Sequence, residues 1–164
     1  MSRETPSIRR FKAEQLDALL ELTVRAWAPV FPLMEADVPA YVYRAFYPNG
    51  WEARQRQDVA ALCQDEATEV WVALIDEHMA GYVGLRAHRE DSMGEVHILA
   101  VDPAFQRRGI GRALLDFSFD WIRQRGLTMA FVETGGDRGH APSRATYESA
   151  GFERYPVARC FRPV

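Results

Sequence analysis

Apolar residues recur at three- and four-residue steps early in the chain, at Leu16, Leu19, Leu20, Val24 and Trp27. That spacing returns side chains to one side of a helix, so the stretch predicts a helix with one buried face. Before it, SIRRF (7–11) reads as a short strand. Pro29 and Pro32 end the helix, Pro39 suits the first turn of a second helix near 37–46, and Trp51, Gln55, Val59 and Leu62 mark a third. The period then changes. In EVWVALIDEHMAGYVGLRAH (69–88) two apolar runs flank Asp76, Glu77 and His78, which predicts an antiparallel hairpin. A third run, GEVHILAV (94–101), stops at Asp102 and Pro103, because proline cannot donate to a sheet ladder. A helix over 109–125, a strand TMAFVET (128–134), a short helix near 142–150 and a last strand around 153–162 complete the order β-α-α-α-β-β-β-α-β-α-β. This is a mixed α/β pattern. No repeat, low-complexity tract or linker interrupts it, so one domain spanning residues 1–164 is expected.

Composition narrows the function classes. A formal net charge of −3 argues against a general nucleic-acid binder; the skew to arginine, with Lys12 the single lysine, reads as coding bias. Cys63 and Cys160 form no CxxC or Cys/His spacing, so neither a zinc site nor a disulfide framework is indicated. That usage fits a reducing cytoplasm, the expected compartment. The start, MSRETPSIRRF, lacks the apolar core of a secretion signal, and no apolar run approaches the ~18 residues that span a bilayer. No metal and no membrane partner are expected.

FQRRGIGRALL (105–115) gathers two glycines and three arginines where the 109–125 helix must begin. A helix's first turn has backbone N–H groups without intrahelical partners and carries the positive end of the macrodipole. It is an anion site. Gly109 and Gly111 remove Cβ atoms where an anion approaches the main chain, and Arg107, Arg108 and Arg112 add forked donors suited to phosphate oxygens. A pyrophosphate matches this chemistry; an ordinary strand-to-helix turn with solvated arginines is the alternative. No Gly-Lys-Ser/Thr follows and the G-x-G-x-x-G spacing is absent, which sets aside Walker and dinucleotide loops.

A second anomaly lies in GEVHILAV. Strict alternation puts Glu95, His97 and Leu99 on one face and Val96, Ile98 and Ala100 on the other. A central strand covered on both faces should not carry Glu and His inward without partners or a cleft. Glu95 is therefore a candidate base, with a structural carboxylate paired to an arginine such as Arg86 as the alternative. His97 is either a base itself or a support for Glu95, and Glu133 is a third option.

These residues carry a resemblance. VDPAFQRRGIGRALL resembles the acetyl-CoA-binding motif of the GNAT N-acetyltransferases, Gln/Arg-x-x-Gly-x-Gly/Ala after a strand ending in Val-x-Pro. Some thirty residues downstream, HAPSRATYESAGF is similar to the family's later motif, Asn-x-x-Ala-x-x-x-Tyr-x-x-x-Gly-Phe, with His140 in place of asparagine and Ser143 in place of alanine. The resemblance implies a central mixed, largely antiparallel sheet flanked by helices on both faces, and acetyl-CoA as co-substrate. It implies that the main chain of Leu99 and Val101 bonds the pantetheine arm where their strand and the one from Thr128 splay apart. Gln106 would open the cradle, the amides of Arg107, Arg108, Gly109, Ile110, Gly111 and Arg112 would hold the pyrophosphate, and His140 and Ser143 would meet the lower arm. Glu95 falls at the position of the glutamate base of some members, fourteen residues before Gly109. Tyr147 occupies the position that protonates or hydrogen-bonds the leaving thiolate.

An alkyl amine of pKa near 10.4 is mostly protonated at neutral pH, so a base must free its lone pair before it can attack. Direct transfer is expected, since no cysteine sits in a nucleophile arrangement. For the acceptor, residues 27–51 are rich in aromatics, Trp27 and Phe31 among them, interrupted by Glu35 and Asp37. Aromatic faces with carboxylates suit an amine cation. A small-molecule amine is the expected partner; a peptide or protein amine is the alternative acceptor, and a non-catalytic acyl-CoA sensor the alternative class. A homodimer is compatible with all three.

Overall fold

A computed structural model describes residues 5–164. β1 (Ser7–Arg10) leads through a 3-10 turn into α1 (Leu16–Trp27), followed by α2 (Phe31–Asp37), α3 (Ala40–Phe46) and α4 (Trp51–Gln64). β2 (Glu69–Ile75), β3 (His78–His88) and β4 (Met93–Val101) form a meander, then α5 (Ile110–Gln124), β5 (Met129–Phe131) and α6 (Ala141–Ser149) close the fold. The sheet runs in the order β1-β2-β3-β4-β5, antiparallel up to β4, with β5 parallel to β4. Its two faces build two cores. α5 covers one with Ile110, Leu114, Leu115 and Ile122 over Val83, Leu85 and Val96; α1 and α4 cover the other with Leu19, Leu22, Val59 and Leu62 over Val70, Val72 and Tyr82.

Three elements depart from the sequence pattern. The expected helix near 37–46 begins only at Ala40, as α3, and an additional helix, α2, ends at Asp37 before it, because Pro39 forces Val38 into an extended conformation (φ −108°, ψ 157°). Pro32 starts α2 instead of only ending its predecessor, since a missing N–H costs nothing in a first turn. The expected strand at 153–162 does not form. Pro156 removes a ladder donor, Arg154 and Arg159 turn to Glu148 and Glu133, and Tyr155 and Val157 stand exposed.

The irregularity that matters for function is a β-bulge. In the β3–β4 register Leu85 faces Val96 and Gly84 faces Ile98, so His97 is an extra residue with no partner of its own. The bulge breaks the expected alternation. Val96 packs toward α5, Ile98 and Ala100 toward α1 and α4, and Leu99 and Val101 return to the α5 side. Leu99 therefore does not share a face with Glu95.

Candidate active site

β4 and β5 part company early. Met93, Gly94 and Glu95 pair with Met129, Ala130 and Phe131, and there the pairing stops. Residues 96–101 of β4 run on with β3 alone, leaving an open backbone edge that includes Leu99 and Val101. At its far end the Val101 carbonyl accepts a bond from Gln106 Nε2 (3.3 Å). Asp102 then caps the 3-10 turn Pro103–Phe105 through the Ala104 amide (2.9 Å) and takes the Arg25 guanidinium (2.6 Å), which ties the end of β4 to α1.

The turn into α5 has the backbone of an anion cradle. Arg107 (φ 62°) and Gly109 (φ 86°) both lie in the left-handed region, and the chain enters the helix at Ile110 without a side-chain cap. The first-turn amides are thus left to an external acceptor. At Gly111 a Cβ would meet only Val101 Cγ2, at an ordinary 3.7 Å, so no protein atom demands this glycine. Arg112 pairs with Asp116 (2.9 Å), and Arg108 lies over the Phe105 ring at 5.3 Å.

Where the strands part stands a cluster of three ionisable side chains. Glu95 meets His88 Nε2 with one oxygen (2.6 Å) and His97 Nδ1 with the other (2.7 Å). Burial would raise the Glu95 carboxyl, but the bonds from the two imidazoles outweigh it and hold the group below its ordinary range. Arg86, directly across from Glu95 in register, is not its ion-pair partner. Its guanidinium donates to Thr68 Oγ1 (2.7 Å) and Asp65 Oδ2 (3.1 Å) and approaches His97 Nδ1 at 3.2 Å. Arg86 and His97 line a cleft of about 490 Å³ between α4 and the sheet, with Gln55, Asp58, Asp65 and Ile98. Glu133 stands apart, exposed and paired with Arg159 (3.1 Å).

On α6, Tyr147 packs edge-on against Phe152 (5.8 Å), and burial pushes its phenol up to about 12. His140, at the N-terminus of α6, gives Nδ1 to Asp137 (2.7 Å). Arg144 pins the same loop by donating to the carbonyls of Gly135 and Asp137. Ser143 is half-buried in the first turn.

Part of the aromatic segment packs internally. Phe31 is buried, stacked on Trp51 at 4.5 Å and edge-on to Tyr47, while Trp27 packs against the α1/α4 core. Asp37 is bound by both the amide and the guanidinium of Arg138, whose bonds hold its carboxyl below the usual value. Glu35 is exposed. Burial pushes the Cys63 thiol up to about 11, so it is neutral at physiological pH, and Cys160 lies on the exposed terminal segment. His88 and Asp137 were invisible to sequence reasoning. His88 sits seven residues before Glu95, and only the Arg89–Asp91 turn and the strand register bring the two together.

An open strand edge with a glycine-loosened helix start at one end and a carboxylate held between two imidazoles at the other is an arrangement that suits an acyltransferase of the acetyl-CoA type. The family comparison agrees: residues 35–152 match the model of the acetyltransferase (GNAT) family, and the chain belongs to that family. Curated relatives include a mycothiol acetyltransferase of Thermomonospora curvata, 34% identical over 54% of this chain and 29% of the relative. Another is the ribosomal protein bS18-alanine N-acetyltransferase of Escherichia coli, 38% identical over 40% of this chain and 43% of the relative. The chain thus spans less than half the length of either. The crystal structure of the E. coli ribosomal-protein-S18-alanine N-acetyltransferase superposes with a TM-score of 0.69 at 23% identity, covering 98% of this chain and 85% of that one. A Thermoplasma acidophilum PaiA N-acetyltransferase in complex with coenzyme A gives 0.68 at 17% identity, covering 96% and 94%. Both share the fold. Acetyl-CoA is the co-substrate of the family, and the cradle at 106–112 has the chemistry to receive its pyrophosphate. No helix among the described residues is long and apolar enough to cross a membrane.

Proposed function

We propose that this chain transfers the acetyl group of acetyl-CoA directly to a primary amine of a small molecule. The observation that carries the reading is one of place: the β4–β5 pairing ends at Glu95, where the His88–Glu95–His97 cluster begins. The cradle lies at the other end of the same open edge. Bound there, acetyl-CoA supplies an activated thioester. The chain's residues do the rest. The amides of 110–112 with Arg107, Arg108 and Arg112 bind the pyrophosphate, the main chain of Leu99 and Val101 aligns the arm, and His140 and Ser143 border it. The cluster removes the amine's proton and the Tyr147 hydroxyl gives one to the departing sulfur. A phenol held near 12 remains protonated at neutral pH, as a donor must be.

The cleft of about 490 Å³ beside His97 is of the size that encloses a small ligand, which supports a small-molecule acceptor. A protein amine is the second reading, supported by the likeness to the S18-alanine enzyme. A panel of lysine, spermidine, kanamycin and an alanine-initiated peptide decides, with free CoA thiol and acceptor mass both measured. CoA released only when a small amine is present is the expected result. Tight acetyl-CoA binding with no turnover across the panel would make the chain a sensor instead.

A further inference from the structure

Taking the acetyl-transfer reading above as given, we propose that Nε2 of His97 is the proton acceptor, with Glu95 and His88 as its positioning residues. Each oxygen of Glu95 is already engaged by one imidazole, so an incoming amine would have to compete with both for the carboxylate. His97 lines the cleft, while Glu95 lies behind it with only 13% of its side chain exposed.

The tautomer follows from the contacts. A carboxylate oxygen 2.7 Å from Nδ1 needs a proton between them, so Nδ1–H donates to Glu95. The Arg86 nitrogen at 3.2 Å is the weaker contact, and its guanidinium is already bonded to Thr68 and Asp65. With Nδ1 committed, Nε2 carries the lone pair. A carboxylate that fixes the tautomer of an imidazole and stabilises its protonated form is the orienting arrangement of hydrolytic triads. The bulge fits this role: as the unpaired residue of β4, His97 is turned out beside the point where the strands separate.

The step balances. Nε2 takes one proton from the acceptor ammonium, leaving a neutral amine and an imidazolium facing Glu95. The freed lone pair forms the C–N bond as the C–S bond breaks, and the nitrogen's surplus proton reaches the sulfur by way of the Tyr147 hydroxyl. His97 then returns its proton to water.

His88 holds the other oxygen of Glu95 and so fixes the carboxylate against His97. The other charged groups on the cleft are Arg86, which also approaches His97 Nδ1, Asp65, which is paired with Arg86, and Asp58, paired with Arg54.

Two measurements on the full chain test this. Imidazole nitrogen NMR of the four histidines, assigned with His88→Gln and His97→Gln, should find His97 in the Nδ1–H form. In Glu95→Ala the fixed tautomer should be lost, whereas a merely structural Glu95 would leave it in place. His97→Gln should lose roughly 10²-fold or more near neutral pH. An Nε2–H tautomer at His97, or an Nδ1–H form that persists in Glu95→Ala, overturns the assignment. A wild-type protein that turns over no amine counts against acetyl transfer itself, and the NMR arm still decides the cluster.

Discussion

Gly111 separates the cradle from the fold. It lies in the first turn of α5 with helical backbone, and a methyl there would touch only Val101 Cγ2 at 3.7 Å. Nothing in the protein requires glycine at this position. Gly111→Ala narrows the unfolded ensemble at no steric cost, so it should raise stability by about 0.4–1 kcal/mol, or Tm by roughly 1–4 °C for a chain of this size. Binding should move the other way. If the first-turn amides receive the pyrophosphate as proposed, the new methyl crowds them, and losing one hydrogen bond to a charged group costs about 1.5–3 kcal/mol, a roughly 10- to 150-fold weaker Kd. Gly109→Ala is the control. At φ 86° alanine is strained, so that variant should lose stability by about 1–2 kcal/mol. Thermal unfolding and calorimetric titration with acetyl-CoA give both numbers on one preparation. An unchanged Kd in a stabilised Gly111→Ala protein would refute the cradle, and a lowered Tm would mean that the helix itself needs the glycine.

Tyr147→Phe keeps the ring against Phe152, so it should cost at most ~1 kcal/mol of stability while kcat falls roughly 10²-fold; wild-type kcat in a folded variant removes the hydroxyl from catalysis. Gly94→Ala should destabilise by about 1–3 kcal/mol, because its Cβ would run into the Ile122 side chain of α5, and pairing it with Ile122→Val should recover part of the loss in denaturant titrations. Glu95 is held below its ordinary value in the fold, so it favours the folded state above about pH 4.3 and that contribution is lost as pH falls through the folded value. Glu95→Gln should therefore flatten the acid end of the stability–pH curve, and an unchanged acid midpoint would contradict the two imidazole bonds.

The fold class was legible because it depends on local chemistry. Helical spacing at Leu16, Leu19 and Val24 found α1, two apolar runs around Asp76 and Glu77 found the hairpin, and Gly109 with Gly111 pointed to the proposed cradle. Pro39, expected inside the first turn of a helix near 37–46, instead caps a helix that begins at Ala40. The terminal run 153–162 has a strand's composition, yet pairing needs an acceptor edge, and β5 forms only Met129–Phe131.

What the sequence alone determined, then, was which residues could do chemistry: a carboxylate and a histidine two apart on a central strand, a glycine-loosened helix start and a tyrosine on the last helix. Which of them meet was a tertiary matter. Period-two alternation is a property of a regular strand, and one extra residue at His97 reverses it for everything beyond, sending Leu99 to the opposite face. Register between β3 and β4 brought His88 to Glu95 and sent Arg86 to Thr68 and Asp65, a choice set by the Arg89–Asp91 turn and not by any local preference of the side chains. Phe31 went to the interior and Trp27 packs half-buried against the α1/α4 core for the same kind of reason. A large apolar ring gains more from burial than it can from waiting for a cation, and only the packed helices determine which rings find that burial.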